Sequence, residues 1–422
     1  MNTGNQFNIR GLLPKDIAPY APTTLTGKLS VVYDVATDKL PMQVRANLRQ
    51  QDGEVINADI RKANGKNQPY VIDANWRQLV RHQLPNSIGE LNSPIGKAHV
   101  EFLPQIAKKP SSLQVNASAH LIKLNQAPRG DYQLTLKQTG QLIDINQLVY
   151  QGVAGQLSGK GNIKLASAKQ PLSWQINATT HNLNAHSILD SLPLQDLTGN
   201  VVASGIFQQI AQPRKKTLSR HDVTITQIDM VGDLLGADRS KKHLALTGAG
   251  RVKAELLANQ LTHISAKFDG SLNAPNVPKG EFKFDVDGSP KQLTIRQFSH
   301  QGKQGGINAK GLIDLTQGIA WQIAADMQNF DASYFVPSLP SQLSGNLTTD
   351  GYWRDSAQYI HIANMNLKGR LKNKPLTAAG QLTAKLNLPK DLSSLRHIFD
   401  ANSNDQKARQ IRRLIDNIQA NN

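Results

Sequence analysis

Phe282-Lys283-Phe284-Asp285-Val286-Asp287 alternates apolar and charged residues without a break. Successive side chains of a strand point to opposite faces, so the segment reads as a strand with one face shielded from water and one bathed in it. Leu113-Gln114-Val115-Asn116-Ala117 and Tyr132-Gln133-Leu134-Thr135-Leu136-Lys137 follow the same rule. Gly, Asn, Asp and Pro punctuate such runs at short intervals, as in Asp287-Gly288-Ser289-Pro290. Short strands joined by turns predict an antiparallel meander, mainly β, that is apolar on one side only.

The pattern is repeated. Trp174-Gln175-Ile176-Asn177-Ala178 leads to Asn182-Leu183-Asn184-Ala185, and Trp321-Gln322-Ile323-Ala324-Ala325 leads to Asn329-Phe330-Asp331-Ala332. Upstream, Gly161-Asn162-Ile163-Lys164-Leu165 corresponds to Gly311-Leu312-Ile313-Asp314-Leu315. Downstream, Leu197-Thr198-Gly199-Asn200-Val201 corresponds to Leu343-Ser344-Gly345-Asn346-Leu347. A repeated β unit predicts a stacked sheet whose function lies in a long surface. If about 25–30 strands of roughly five to eight residues stack at about 4.8 Å, the sheet runs roughly 120–145 Å.

Between the Trp strand and the Leu-Ser/Thr-Gly strand, the apolar positions change period. Ala185, Ile188, Leu189 and Leu192 in one copy, and Ala332, Phe335, Val336 and Leu339 in the other, are spaced as one helix face. Asn184 and Asp331 suit the N-cap, and Pro193 and Pro340 the end. Short helical plugs are therefore expected there. Weaker copies are read at Ile72-Asp73-Ala74 with Gln78-Leu79-Val80, and at Ile143-Asp144-Ile145 with Leu148-Val149. Phe7-Asn8-Ile9 stands where Phe330-Asp331-Ala332 stands, without a Trp strand before it, so a piece of a longer protein is expected. Beyond Pro389 the alternation stops, and Ile411, Leu414, Ile415 and Ile418 form one face of a C-terminal helix. The expected division is residues 1–390 as the repeating sheet, clearest at 161–207 and 311–353, and 391–422 as a helical tail or linker.

Composition removes several chemistries. There is no Cys, so disulfides, thiolate metal sites and cysteine nucleophiles are excluded. The eleven His residues are scattered, with no H-E-x-x-H or other metal-ligand spacing, so neither metal nor cofactor is expected. Gly155-Gln156-Leu157-Ser158-Gly159-Lys160-Gly161 matches neither a phosphate loop nor a nucleophile elbow. No catalytic residue is assigned, and the chain is not expected to be an enzyme. The net charge of +17 favours anionic partners, yet no basic helix studded with aromatics points to nucleic acid.

Alternating strands, short Leu/Pro-bounded plugs and strands opening with Leu-Ser/Thr-Gly resemble the TamB branch of the AsmA-like proteins. Ala185–Val201, Ala332–Leu347 and the stretch Leu367-Lys368-Gly369-Arg370-Leu371 carry the resemblance. It implies an antiparallel, twisted sheet curled into an open, taco-like groove with an apolar lining. It also implies a periplasmic location, an inner-membrane anchor that this sequence lacks, and an outer-membrane barrel partner of the TamA type.

The expected function is a groove that shields phospholipid acyl chains from water along a path between the two membranes, for outer-membrane biogenesis. The groove-lining candidates are Trp174, Ile176, Trp321, Ile323, Phe282, Phe284 and Val286. Packing of the tryptophans beneath the helical plugs is the other reading of those two. Two alternatives stand beside the groove: a chaperone-like subunit of a translocation and assembly module for outer-membrane or autotransporter proteins, acting by strand addition, and a β-solenoid surface or passenger protein.

Overall fold

The computed structural model describes residues 5–7, 25–32, 43–49, 54–62, 68–81, 91–105, 110–124, 127–168, 170–187, 193–211, 217–235, 240–258, 260–274, 277–334, 340–354 and 357–387. The fold is mainly β, an antiparallel sheet added strand after strand. The chain divides into two units, residues 1–202 with 232–234, and residues 203–231 with 235–422.

In the first unit, Val55–Lys62, Tyr70–Arg81, Leu91–Leu103 and Ser112–Leu121 pair in sequence order. Ser112–Leu121 pairs next with Gly130–Thr139, while the short Lys123–Leu124 folds back on Leu91 and Asn92. Leu142–Gly152, Gly155–Lys164 and Leu172–Leu183 continue the ladder. In the second unit, Lys241–Leu257, Gln260–Ala274, Val277–Ser289, Gln292–Gly302 and Gly305–Asp314 pair consecutively. Ile319–Phe330, Ser341–Arg354, Ala357–Leu371 and Lys374–Asn387 follow. These strands are longer than the five to eight residues expected, reaching 17 in Lys241–Leu257. Interior glycines, read as punctuation in the sequence, often lie mid-strand, as Gly311 and Gly351 do.

Two expected helical segments are strands. Ile72–Val80 lies within Tyr70–Arg81, and Ile143–Val149 within Leu142–Gly152. In the second case the cause is a β-bulge between Ile145 and Leu148. One inserted residue turns an i, i+2 spacing into i, i+3, which mimics a helix face while keeping Ile143, Ile145, Leu148 and Tyr150 on one side of the sheet. The expected plugs begin as single 3-10 turns, Ala185–Ser187 and Ala332–Tyr334. The N-caps are as expected: the Ser187 N–H donates to Asn184 Oδ1 at 3.1 Å and the Ser333 N–H to Asp331 Oδ1 at 3.0 Å. Residues 188–192, 335–339 and the tail at 391–422 lie outside the described residues.

The recurring Leu-Ser/Thr-Gly has a structural cause. Asn182 and Asn329 both sit at φ 48°, in the left-handed region. Asn329 belongs to a bulge between Met327 and Phe330. Its N–H turns to the Ser344 hydroxyl at 2.9 Å, and the Asn182 N–H turns to the Thr198 hydroxyl at the same distance. The next residue, Gly345, has φ 136°, and a Cβ there would collide with the Asn366 carbonyl oxygen. The hydroxyl satisfies a backbone donor that the bulge releases from the ladder, and the glycine admits the neighbouring strand.

The densest packing in the first unit surrounds Tyr150, Ala154 and Leu183, with Tyr132, Leu157 and Leu197 against them. The Tyr150 hydroxyl accepts from the Ala154 N–H at 2.9 Å and donates to the Arg129 carbonyl at 3.2 Å. Burial, with a smaller contribution from Tyr150, pushes the Tyr132 phenol up to about 12. Elsewhere most apolar side chains are only half-buried.

Candidate functional site

Cross-strand register turns the alternation into continuous apolar rows. In the second unit one row runs Val286, Ile295, Gly311, Ile323, Thr349, Ile362. Its neighbour runs Phe284, Phe298, Ala309, Ala325, Leu347, Met365. Phe282, Phe284 and Val286 lie two residues apart on one strand, as do Trp321 and Ile323 on another, so all five candidates of this unit share a face. Phe282 is buried, its ring 4.5 Å from His300 and 6.1 Å from Phe298. Phe284 stacks on Phe268 at 5.7 Å. Trp321 lies over Gly351, its cross-strand neighbour. It stands nine residues along the strand from Phe330, the residue next to the 3-10 turn, and that Phe330 is the buried one.

The first unit carries equivalent rows. Ile60, Ile72, Val100, Val115, Leu136 and Ile145 are successive partners, and the row continues to Gly161 and Ile176. Trp174 pairs with Ile163 in the adjoining row and is half-buried, whereas Ile176 is 37% exposed. Small residues line the middle of this face: Ala58, Ala74, Ala98 and Ala117 are partners in turn. Among the described residues of either unit, no helix beyond the single 3-10 turns covers these rows.

The repeat extends further upstream than the sequence reading recognised. Gly130–Lys164 and Gly280–Asp314 correspond at a constant offset of 150 residues. Both copies carry the bulge, after Ile145 and after Ile295. Tyr150 corresponds to His300, and both are buried to 3% exposure. The two bulged strands align once a residue is allowed to drop out of the alternation, a signal available in the sequence.

The opposite face is polar and internally neutralised in many places. Lys267 and Arg296 flank Asp285, and Arg296 and His263 bind Asp287 at 2.8 and 3.2 Å. In the first unit, His99 Nδ1 lies 2.6 Å and the Arg61 guanidinium 2.7 Å from the Asp73 carboxylate. These hydrogen bonds, His99 first and Arg61 second, hold Asp73 below its ordinary range, and Asp73 in turn raises His99. Two open depressions of the first unit are lined by both polar and apolar residues. One, of about 610 Å³, is lined by Asp73, Lys97, His99, Asn116 and Gln133 among others. The second, of about 480 Å³, includes Lys137, Asp144, Lys160 and Gln175. Among the described residues no cluster of His, Asp and Glu is suited to hold a metal ion.

The family model described as the TamB N-terminal domain matches residues 252–407. A curated relative, the translocation and assembly module subunit TamB of Haemophilus influenzae, is 24% identical over 232 residues. The chain is similar to TamB over these regions. The aligned part is 54% of this chain and 16% of that relative, so the match spans about a sixth of the TamB subunit's length. The TamB N-terminal match takes in Phe282, Phe284, Val286, Trp321 and Ile323, while Trp174 and Ile176 lie before it. No solved structure matches the chain.

Proposed function

We propose that this TamB-like chain is a segment of a translocation and assembly module subunit, and that its apolar sheet face shields phospholipid acyl chains on a path across the periplasm. The supporting observation is the mainly apolar, half-buried rows of each unit, backed by a polar face rich in ion pairs. A strand exposes apolar side chains in register only at a cost in water, roughly 25 cal/mol per Å² of apolar area. An acyl chain laid across Val286, Ile295, Ile323 and Ile362 removes that area from water and loses none of its own hydrogen bonds. Trp174, Ile176, Trp321, Ile323, Phe282, Phe284 and Val286 are the proposed contacts.

In the full-length protein the same reading places an inner-membrane anchor at one end and an outer-membrane barrel of the TamA type at the other. Mechanistically the segment is passive. It supplies a surface, and the strand-to-strand repetition supplies length.

Native mass spectrometry of the purified protein is expected to show bound phospholipid. Ile323→Asp places a charge in the middle of the row and should reduce that occupancy at least tenfold, since an unpaired carboxylate against acyl chains costs several kcal/mol, about 1.4 kcal/mol per tenfold. Undiminished lipid in that variant, with the sheet intact by circular dichroism, would sink the assignment.

A further inference from the structure

The two rims of the second unit's sheet, where its strands turn, differ in charge. One rim holds the turn at Lys303 and Gln304, the connection after Phe330, and the turn at Lys372 and Asn373. Backbone hydrogen bonds knit these together: the Asp331 N–H donates to the Gln304 carbonyl at 2.9 Å, and the Lys372 N–H to the Pro340 carbonyl at 2.8 Å. Lys303, Lys368, Arg370, Lys372 and Lys374 are all exposed on or next to this rim. None of the five forms an ion pair among the described residues. From Ser356 to Lys390 the chain has six Lys and Arg and no Asp or Glu, so no acid of the terminal hairpin offsets them. Of the acids at this rim, Asp331 is occupied, accepting the N–H groups of Ser333 and Ser341, and Glu281 pairs across to Gln301 beside the Lys303 turn.

The other rim is different. There Asp287 is held by Arg296 and His263, and Asp314 accepts from the Thr316 N–H at 2.9 Å. Both acids there are engaged, and Lys385 lies over the Tyr359 ring.

Immediately inside the basic rim runs an apolar row, Ile307, Met327, Gly345, Leu367 and Ala378 as successive partners. Lys303 and Lys372 in the turns and Lys374, the partner of Leu371, stand at the edge of this row, whereas Lys368 and Arg370 alternate with Leu367 and lie on the polar face. Long Lys and Arg stems can lie along such a surface while their heads remain in water. This order, apolar row and then unneutralised cations, matches a glycerophospholipid, whose phosphate lies just beyond its acyl chains. We infer that the rim bearing Lys303, Lys372 and Lys374 is the headgroup side of the sheet and binds the phosphate of anionic phospholipids. The inference rests on the acyl-shielding reading and adds which rim faces the headgroup and which lipid class is preferred.

The test compares phosphatidylglycerol with phosphatidylcholine of identical acyl chains, bound to the full chain and read by native mass spectrometry. The rim variant is Lys303→Gln, Lys372→Gln and Lys374→Gln together. A control of equal charge loss is Lys137→Gln, Lys160→Gln and Lys310→Gln. Wild type and control should prefer phosphatidylglycerol. The rim variant should keep its phosphatidylcholine and lose the preference by roughly tenfold or more, from three surface cations near anionic lipid. An unchanged preference in the rim variant, or an equal loss in the control, overturns the inference. So does inorganic phosphate that displaces phosphatidylglycerol where sodium chloride of matched ionic strength does not. If wild type holds neither lipid, the acyl-shielding reading has failed. Flotation with phosphatidylglycerol vesicles then decides the rim: wild type should float, the rim variant should not, and failure of wild type to float overturns it.

Discussion

Trp321 covers Gly351 so closely that a methyl group on that glycine would come within 2.5 Å of the indole ring. The two are cross-strand partners on the apolar face of the second unit. The first unit repeats the arrangement, with Trp76 over its partner Gly96. A glycine opposite a tryptophan lets the ring lie flat along the sheet and adds apolar area without height. Gly351→Ala is expected to press on both the Tyr359 carbonyl oxygen and the Trp321 ring, to shift that ring, and to cost about 1–3 kcal/mol or more, the penalty of overpacking. Urea unfolding followed by near-ultraviolet circular dichroism checks both effects. A variant of wild-type stability with an unchanged aromatic signal would contradict the arrangement.

The Ser344 hydroxyl is expected to matter more than its exposed setting suggests. It takes the N–H of Asn329, whose left-handed conformation removes that donor from the ladder. Ser344→Ala should cost about 1 kcal/mol, because the N–H is left to water at best. Ser344→Thr should be tolerated, since Thr198 fills the same role in the first unit. Hydrogen exchange at the Asn329 amide distinguishes these outcomes: it should accelerate in the alanine variant and stay slow in the threonine one.

The bulge after Ile145 sets the face of everything that follows in its strand. Deleting Asn146 removes the extra residue, so Ile145, Leu148 and Tyr150 follow strict alternation on the same face and keep their partners on both neighbouring strands. The cluster of Tyr150 with Ala154 and Leu183 and its two backbone hydrogen bonds are kept, and the deletion should cost no more than about 1 kcal/mol. Deleting Val149 instead, beyond the bulge, puts Leu148 or Tyr150 on the polar side and should cost about 2 kcal/mol or more, of the order of losing a buried side chain. Equal stabilities for the two deletions would show that the bulge does not set the register.

The same bulge shows what the sequence could convey. Strict alternation in Phe282–Asp287 marks a strand and its faces, and the structure keeps both. Ile143, Ile145, Leu148 and Tyr150 carry the same information with one residue inserted, and a count by period alone reads that as a helix. The Asn184 and Asp331 caps were legible because a cap is a local interaction between near neighbours. The basic rim was not legible, since Lys303 and Lys372 share it only after four strands have folded between them. The Ser344 contact with Asn329 spans 15 residues, and only its recurrence as Thr198 with Asn182 left a trace in the repeat.

The polar face should respond to pH through Asp73 and His99. His99 Nδ1–H donates to the Asp73 carboxylate at 2.6 Å, its other ring nitrogen faces Glu101 at 3.4 Å, and Arg61 also donates to the Asp73 carboxylate. The Asp73 hydrogen bond, partly offset by burial, raises His99 above its ordinary 6.5. A raised histidine stabilises the fold fully below 6.5, and that contribution is lost as pH climbs through the elevated value. Asp73 is lowered, chiefly by His99 and then Arg61, so its contribution is present above 3.8 and lost as pH falls through the depressed value. The pair is therefore complete between 3.8 and 6.5. With side chains 38% and 43% exposed, it should contribute no more than about 1 kcal/mol. Titration of the His99 ring by nuclear magnetic resonance should show the elevated value in wild type and a return toward 6.5 in Asp73→Asn, while the stability of that variant should lose most of the dependence on pH near neutrality that this pair confers. A His99 that titrates identically in both proteins would mean that the two side chains do not pair in solution.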